Sequence, residues 1–153
     1  KLAFIGDGNN MANSLIVGGL KCGMDVSVAC PEGYDPDPTV LDFAKAVTDC
    51  KFELVRTPAE AAKDADVVIT DVWASMGQEE ERAVRAEAFT GYCVDEELMK
   101  LTHPGCMVQH CLPAHKGEEI SAEVFEAHAD EIFEEAENRL HAQKAVLYLL
   151  MKD

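Results

Sequence analysis

Five short apolar runs, separated by stretches with helical spacing, constrain the fold of this chain most strongly. The runs lie at residues 2–5, 26–29, 52–55, 67–70 and 107–110. The segments between them repeat apolar residues every three or four positions, which is typical of amphipathic helices. Strands that alternate with helices form a parallel sheet with helices on both faces. We therefore predict one doubly wound α/β (Rossmann-like) domain over residues 1–153, with a mainly parallel sheet of these five strands.

Local signals mark where several helices begin and how the last one ends. Asp37 precedes Pro38, an N-cap followed by proline at the first helical position. Thr57 and Glu60 form a capping box at the start of another helix. The last helix is predicted from about residue 135 to 151, and its final turns are apolar on every side. We expect that end to pack against a partner domain or subunit.

The composition excludes several classes of partner. With 29 acidic against 13 basic residues, the net charge of −16 would repel nucleic acid and anionic membranes. No apolar run approaches the ~18–20 residues of a membrane span. The six cysteines form no C-x-x-C pair and no signal peptide is visible, so we expect free thiols in a reducing compartment. Because Lys1 opens directly into a strand without an initiator Met, we expect the chain to be part of a longer protein.

The turn after the first strand, GDGNNM at residues 6–11, lies where a dinucleotide fingerprint would lie. Met11 replaces the third glycine, and Cys30 ends the second strand where an acidic residue would bind the ribose. Asp7 would also repel a pyrophosphate. We therefore expect no nicotinamide cofactor. Asn9 and Asn10 could instead donate to a carboxylate at the helix N-terminus, although a glycine-rich turn with an asparagine cap explains the same residues.

Two further strands end in reactive side chains. Asp71 follows the fourth strand, and Cys111 follows the fifth beside His110. Ligands of parallel α/β sheets bind at the carboxyl ends of the strands. Cys111 could be a nucleophile or an acid–base group, or simply a small core residue, and the loop after Asp71 could bind a ligand or merely connect elements.

Two other candidates concern metal and anion binding. The histidines and cysteines between residues 103 and 115 match none of the usual zinc spacings, so we expect no metal site. Arg139, in the last helix, could bind phosphate or carboxylate, or could pair with Glu135 or a neighbour of Glu137.

Four motifs together resemble the C-terminal half of ornithine carbamoyltransferases, over essentially the whole chain. They are DGNN at 7–10, Asp71-x-x-x-Ser75-Met76-Gly77, HCLP at 110–113, and AENR at 136–139. The Ser-Met-Gly and Cys-Leu-Pro motifs favour the ornithine enzyme over its aspartate, putrescine and acetylornithine relatives.

The resemblance implies a role for each matching residue. Asn10 and Asp71, with Ser75 and the main chain at Met76, would bind the amino-acid end of L-ornithine. Cys111 would position the side-chain amine and help to deprotonate it, as a thiolate or through a nearby base. The carbamoyl phosphate contacts implied are Cys111, Leu112 and Arg139. The Leu112–Pro113 bond would be cis.

The implied reaction joins the δ-amine of ornithine to the carbamoyl group of carbamoyl phosphate, giving citrulline and phosphate, as in arginine biosynthesis and the urea cycle. The resemblance implies no cofactor, a trimer-based homo-oligomer, and a cytoplasmic location, or the mitochondrial matrix in an animal. The family's Ser-x-Arg-Thr-Arg motif for carbamoyl phosphate is absent, so the N-terminal half is missing and we expect weak ornithine binding without turnover. The alternative is a non-catalytic, regulatory amino-acid-binding domain.

Overall fold

Strands and helices alternate along the chain in a computed structural model that describes residues 1–74 and 81–152. The strands are β1 (Leu2–Ile5), β2 (Val26–Ala29), β3 (Phe52–Val55), β4 (Val67–Thr70) and β5 (Met107–His110). The helices are α1 (Asn10–Lys21), α2 (Pro38–Ala46), α3 (Pro58–Ala62), α4 (Arg82–Ala88), α5 (Glu96–Met99), α6 (Ala122–Ala127) and α7 (Ala129–Met151).

The five strands form one sheet in the order β3-β2-β1-β4-β5, and every neighbouring pair is parallel. The prediction of a doubly wound α/β sheet is therefore confirmed. From β1 the chain winds outward to β2 and β3, and it then returns through α3 to β4 on the other side of β1. The strand order thus reverses between β1 and β4.

Helices cover both faces of the sheet. Alternate strand residues point to opposite faces, and the apolar side chains on each face pack against helices. Leu2 and Phe4 pack with Ile16 and other residues of α1 and α2 in one apolar cluster. Ala3 and Ile5 point to the opposite cluster, which contains residues of α3, α5, α6 and α7. All residues of β1 and β2 are buried, as expected for the interior of a parallel sheet.

The turn after β1 is shaped by close backbone contact. A Cβ on Gly8 would lie 2.4 Å from the Tyr34 carbonyl oxygen, and the Gly8 N–H donates to that oxygen at 2.9 Å. Gly8 is therefore required by the neighbouring 34–36 loop. Asn9 caps α1, and its Oδ1 accepts from Met11 N at 3.0 Å. The capping interpretation thus holds for Asn9.

The other predicted helix caps are also present. Asp37 Oδ1 accepts from Thr39 N at 2.7 Å. Thr57 Oγ1 accepts from Glu60 N at 3.4 Å and donates to the Glu60 carboxylate at 2.6 Å. All six cysteines are free, as expected. Within the described ranges, no helix combines the length and apolar character needed to cross a bilayer.

Helix α7 begins at Ala129, so the predicted start near residue 135 is wrong by almost two turns. The first turns are mostly polar, with Ile132 as the buried residue, and therefore lack apolar periodicity. They lie along the edge strand β5, where Glu131 Oε2 accepts from Val108 N at 2.9 Å and Glu135 Oε2 accepts from His110 N at 3.0 Å. One helical turn and two strand residues both span roughly 6 Å, which makes this pairing possible.

The C-terminal part of α7 leaves the domain. Its large apolar side chains are between 54% and 78% exposed, and they are Leu140, Val146, Leu147, Tyr148, Leu149, Leu150 and Met151. The predicted apolar end is therefore uncovered by this chain.

Candidate active site at the carboxyl ends of the strands

The reversal of strand order places a crevice at the carboxyl ends of β1 and β4, the usual ligand position in such sheets. Asp7 follows β1, Asp71 follows β4 and Cys111 follows β5. Because Thr70 pairs with His110 in the sheet register, Asp71 and Cys111 come next to each other. The fold thus brings together two of the residues that the sequence singled out.

Asp71, His110 and Cys111 form a tight cluster, with one ligating atom of each within 4.8 Å of the others. Asp71 is 7% exposed, and its Oδ1 accepts from Val72 N at 2.8 Å. The Cys111 Sγ lies within 4.8 Å of an Asp71 carboxylate oxygen. Burial, followed by the Asp71 hydrogen bond and negative charge, raises the pKa of Cys111 to about 12. At neutral pH this sulfur is therefore a thiol, and the raised pKa disfavours the thiolate, one of the two expected alternatives.

A third carboxylate lies close by on α7. Burial raises the pKa of Glu135, the hydrogen bond from the His110 backbone opposes the rise, and the charge of Asp71 adds to it. The region around Cys111 is therefore strongly acidic and suited to a cation.

Arg85, a residue of α4 that the sequence analysis did not single out, organises the other side of the crevice. It is 8% exposed, and its Nη1 lies 2.6 Å from Asp7 Oδ2 and 3.0 Å from the Trp73 carbonyl oxygen. Its Nε donates to Glu81 at 3.0 Å, and its guanidinium lies 5.2 Å from the centre of the Tyr34 ring. Arg85 thus joins the end of β1 to residues on both sides of segment 75–80.

Burial raises the pKa of Asp7, while the hydrogen bond and charge of Arg85 oppose that rise. Asp7 and Arg85 are 78 residues apart in sequence. No local pattern connects them, which is why sequence reasoning did not identify the pair.

The remaining predicted site residues are placed as follows. Asn10 is the exposed first residue of α1, at the same edge of the sheet as Asp7. Leu112 has a φ of 55°, its N–H donates to His110 Nδ1 at 2.9 Å, and the predicted cis bond to Pro113 is present. The carbonyl is therefore the backbone group of Leu112 left for a ligand. Ser75 and Met76 lie outside the described residues.

Arg139 is exposed on α7, one turn beyond Glu135. Glu135 accepts from the His110 backbone, and Glu137 lies 3.2 Å from His141 Nε2. Among the described residues, Arg139 forms no salt bridge with Glu135 or with a neighbour of Glu137, so the alternative ion pair is not formed. The guanidinium remains available to an anion.

Two groups of side chains have the composition of a metal site, but their donors are engaged. In the first, with Asp71 and Cys111, both ring nitrogens of His110 already form hydrogen bonds. In the second, His115 and Glu119 lie near Glu118, which pairs with the cationic Arg82. Neither donor set favours a bound metal ion.

Comparisons with known proteins agree with this geometry. The family model described as aspartate/ornithine carbamoyltransferase, Asp/Orn binding domain, matches residues 1–150. The chain is 55% identical over 152 residues to the ornithine carbamoyltransferase of Geobacter metallireducens, an alignment that covers 99% of this chain and 50% of the relative.

Solved structures show the same fold. An anabolic ornithine carbamoyltransferase from Campylobacter jejuni superposes with a TM-score of 0.94 at 44% identity, over 98% of this chain and 50% of that one. The enzyme from Pyrococcus furiosus gives a TM-score of 0.89 at 50% identity, over 97% and 48%. The chain thus spans about half the length of the relatives it matches. With a strand-end crevice of this kind and a family match along almost its full length, the chain belongs to the Asp/Orn-binding domain family of the aspartate/ornithine carbamoyltransferases.

Proposed function

We propose that this chain is the ornithine-binding half of an ornithine carbamoyltransferase. The observation that supports the proposal is the juxtaposition of Asp71 and Cys111 at the carboxyl ends of β4 and β5, beside the reversal of strand order between β1 and β4. In the completed enzyme, the neutral δ-amine of L-ornithine attacks the carbamoyl carbon of carbamoyl phosphate. The amine loses a proton, the bond from the carbamoyl carbon to the phosphate oxygen breaks, and L-citrulline and phosphate form. Because citrulline is the product, we assign the enzyme to arginine biosynthesis or the urea cycle. We place it in the cytoplasm, or in the mitochondrial matrix in an animal.

The charges of the site support a diamino acid as the substrate. Arg85 neutralises Asp7, whereas no cation among the described residues forms a salt bridge with Asp71. Asp71 is therefore the carboxylate left for an ammonium group, and Glu135 adds negative charge nearby. An acidic crevice of this kind would repel aspartate. Asn10 provides amide donors for the substrate carboxylate, and we assign Ser75 and the main chain at Met76 to the same end of ornithine.

Cys111 is suited to position the reacting amine. An alkyl ammonium group has a pKa near ~10.4 and must lose a proton before it can attack. At neutral pH Cys111 is a thiol, because its pKa is raised to about 12. A bound ammonium group favours the thiolate through its positive charge, so deprotonation by Cys111 depends on the substrate being present.

Carbamoyl phosphate contacts the Leu112 carbonyl, Cys111 and Arg139 of this chain. Its other contacts come from the N-terminal half. The exposed apolar end of α7 is a surface for that half or for another subunit of a trimer-based oligomer. Contiguous exposed apolar patches usually mark such interfaces. The chain by itself binds ornithine weakly and does not turn over.

Restoring the missing half tests the proposal. The chain is co-expressed with the N-terminal half of the Geobacter metallireducens relative, and citrulline is measured with L-ornithine and carbamoyl phosphate. We expect activity that falls by at least about 100-fold in Cys111→Ala, since an amine-positioning group is lost. The exposed Cys22→Ala variant is the matched control and retains activity.

Two outcomes contradict the proposal. Preferential carbamoylation of putrescine or acetylornithine by the completed enzyme would show that the ornithine assignment is wrong. Ornithine binding without product in a stable complex would favour a regulatory amino-acid-binding domain.

A further inference from the structure

The loop after β5 is built around two buried polar side chains, His110 and Glu119. Both are 0% exposed, and His110 Nε2 lies 3.0 Å from Glu119 Oε1. Removing a carboxylate from water carries a large desolvation cost unless its hydrogen bonds are made. The pair is therefore an internal structural feature, distinct from the solvated acidic residues elsewhere on the chain.

The second ring nitrogen of His110 determines where the ring proton lies. The Leu112 N–H donates to Nδ1 at 2.9 Å, so Nδ1 carries the lone pair. The proton then lies on Nε2 and is donated to Glu119. The hydrogen bonds thus assign a neutral His110 with its ring proton on Nε2, facing Glu119 Oε1.

This bond to His110 holds an unusual backbone conformation. Leu112 has a φ of 55°, in the left-handed region that residues other than glycine rarely adopt. Such conformations persist where the surrounding contacts impose them. Cys111 lies between His110 and Leu112, so the same contacts determine where its thiol and the Leu112 carbonyl lie.

Glu119 binds a second part of the loop as well. Its Oε1 also accepts from His115 N at 2.5 Å, and its backbone carbonyl accepts from Val94 N at 2.9 Å. One carboxylate oxygen therefore holds the loop at His115 directly and at Leu112 through His110.

We propose that Glu119 is a positioning residue for the carbamoyl-transfer site: it holds His110 in the tautomer that accepts the Leu112 N–H, and it thereby fixes the Cys111 thiol beside Asp71. The identity of the substrates that contact this thiol rests on the proposed function. The positioning of the thiol by Glu119 and His110 does not.

The surroundings of the other carboxylate oxygen indicate that Glu119 has a role besides stabilising the fold. Glu119 Oε2 is buried and has no hydrogen-bond donor among the described residues, and His115 Nδ1 is 3.9 Å away. A well-packed apolar side chain often stabilises such a position better than a partly satisfied carboxylate. An oxygen acceptor at this position is explained by the tautomer that it imposes on His110.

The test uses this 153-residue chain and two readouts that need no turnover. Nitrogen-15 NMR of the His110 ring reports the tautomer, and mass spectrometry follows iodoacetamide alkylation of the Cys111 peptide at pH 8, below the melting temperature. In Glu119→Ala we expect a mixture of tautomers and an alkylation rate raised at least about tenfold, because the thiol leaves its buried contact with Asp71. Glu119→Gln retains an oxygen acceptor and stays within about twofold of the wild type.

Glu118→Gln is the matched control, because this neighbouring carboxylate pairs with Arg82 and does not contact His110. A Glu119→Ala protein with a lower melting temperature but unchanged tautomer and alkylation rate would overturn the proposal, since Glu119 would then be merely structural. A wild-type His110 protonated on Nδ1 would overturn it without any variant.

If Glu119→Ala does not fold, Glu119→Asp gives the second measurement. The aspartate side chain is one methylene shorter, so its carboxylate does not reach His110. A mixture of His110 tautomers in this variant supports the proposal, and the wild-type tautomer alone contradicts it. A failure of the citrulline assay leaves both readouts intact, so the two proposals fail separately.

Discussion

Two neighbouring strands, β1 and β4, end in aspartates that have different surroundings. Asp7 and Asp71 are similarly buried, at 8% and 7% exposed. Asp7 forms an ion pair with Arg85, whereas Asp71 accepts from the backbone N–H of Val72 and lies beside the Cys111 thiol. The comparison shows that a buried carboxylate with an internal cation belongs to the framework, and one with only neutral donors remains available to a cationic ligand.

Removing the cation beside Asp7 should have the largest effect on stability. In Arg85→Ala, Asp7 remains buried without its partner, and we expect a loss of about 3–5 kcal/mol in the free energy of unfolding. Urea denaturation measures this loss. Arg82→Ala, which breaks an exposed pair with Glu118, is the control and should cost less than about 1 kcal/mol.

The same variant makes a prediction about pH. Burial raises the pKa of Asp7 above its ordinary 3.8, and loss of Arg85 raises it further. A carboxyl group with a raised folded-state pKa contributes stability below its unfolded-state pKa, and this stability is lost as pH rises through the folded-state pKa. The deficit of Arg85→Ala should therefore be smallest in acid and grow towards neutral pH. A deficit independent of pH would contradict an uncompensated Asp7.

The second-largest effect should be on ligand binding at the other aspartate. Asp71→Asn removes the charge available to the substrate ammonium, and we expect ornithine to bind at least about tenfold more weakly, with little change in stability. Asp7→Asn should lower stability and weaken binding less. Calorimetric titration with L-ornithine and thermal melts separate the two effects. Equal loss of affinity in both variants would show that the distinction between the aspartates is wrong.

The smallest predicted effect concerns the Cys111 thiol. Its alkylation rate should rise with a midpoint near pH 12 in the wild type. Asp71→Asn should lower that pKa, because both the negative charge and the carboxylate acceptor are lost. Glu135→Gln should lower it less, since Glu135 contributes only charge. The exposed Glu137→Gln serves as control, and a wild-type midpoint near the ordinary value of 9.0 would contradict the buried thiol.

Much of this framework was predictable from local sequence. The apolar runs correctly marked all five strands, and Asp37 and Thr57 correctly marked helix starts, because these signals act over a few residues. The start of α7 was missed because its first turns are held by carboxylates on the edge of β5 rather than by an apolar stripe. That contact is invisible to periodicity.

The residues of the site likewise fall into those that the sequence identified and those that it did not. Asp71 and Cys111 were identifiable as polar residues after apolar strands, since parallel strands bring their carboxyl ends to one edge. Arg85 and Glu119 were not, although they organise the two sides of the crevice. Arg85 lies 78 residues from Asp7, and Glu119 looks like any other acidic residue of a chain with 29 of them.

Local pattern alone therefore determined the strands, the doubly wound architecture and the edge of the sheet that carries the chemistry. The tertiary structure decided which charges are paired, which histidine tautomer is present and which thiol stays protonated. Those properties depend on burial and on donors distant in sequence, because electrostatic interactions are set by distance and solvent exposure in space.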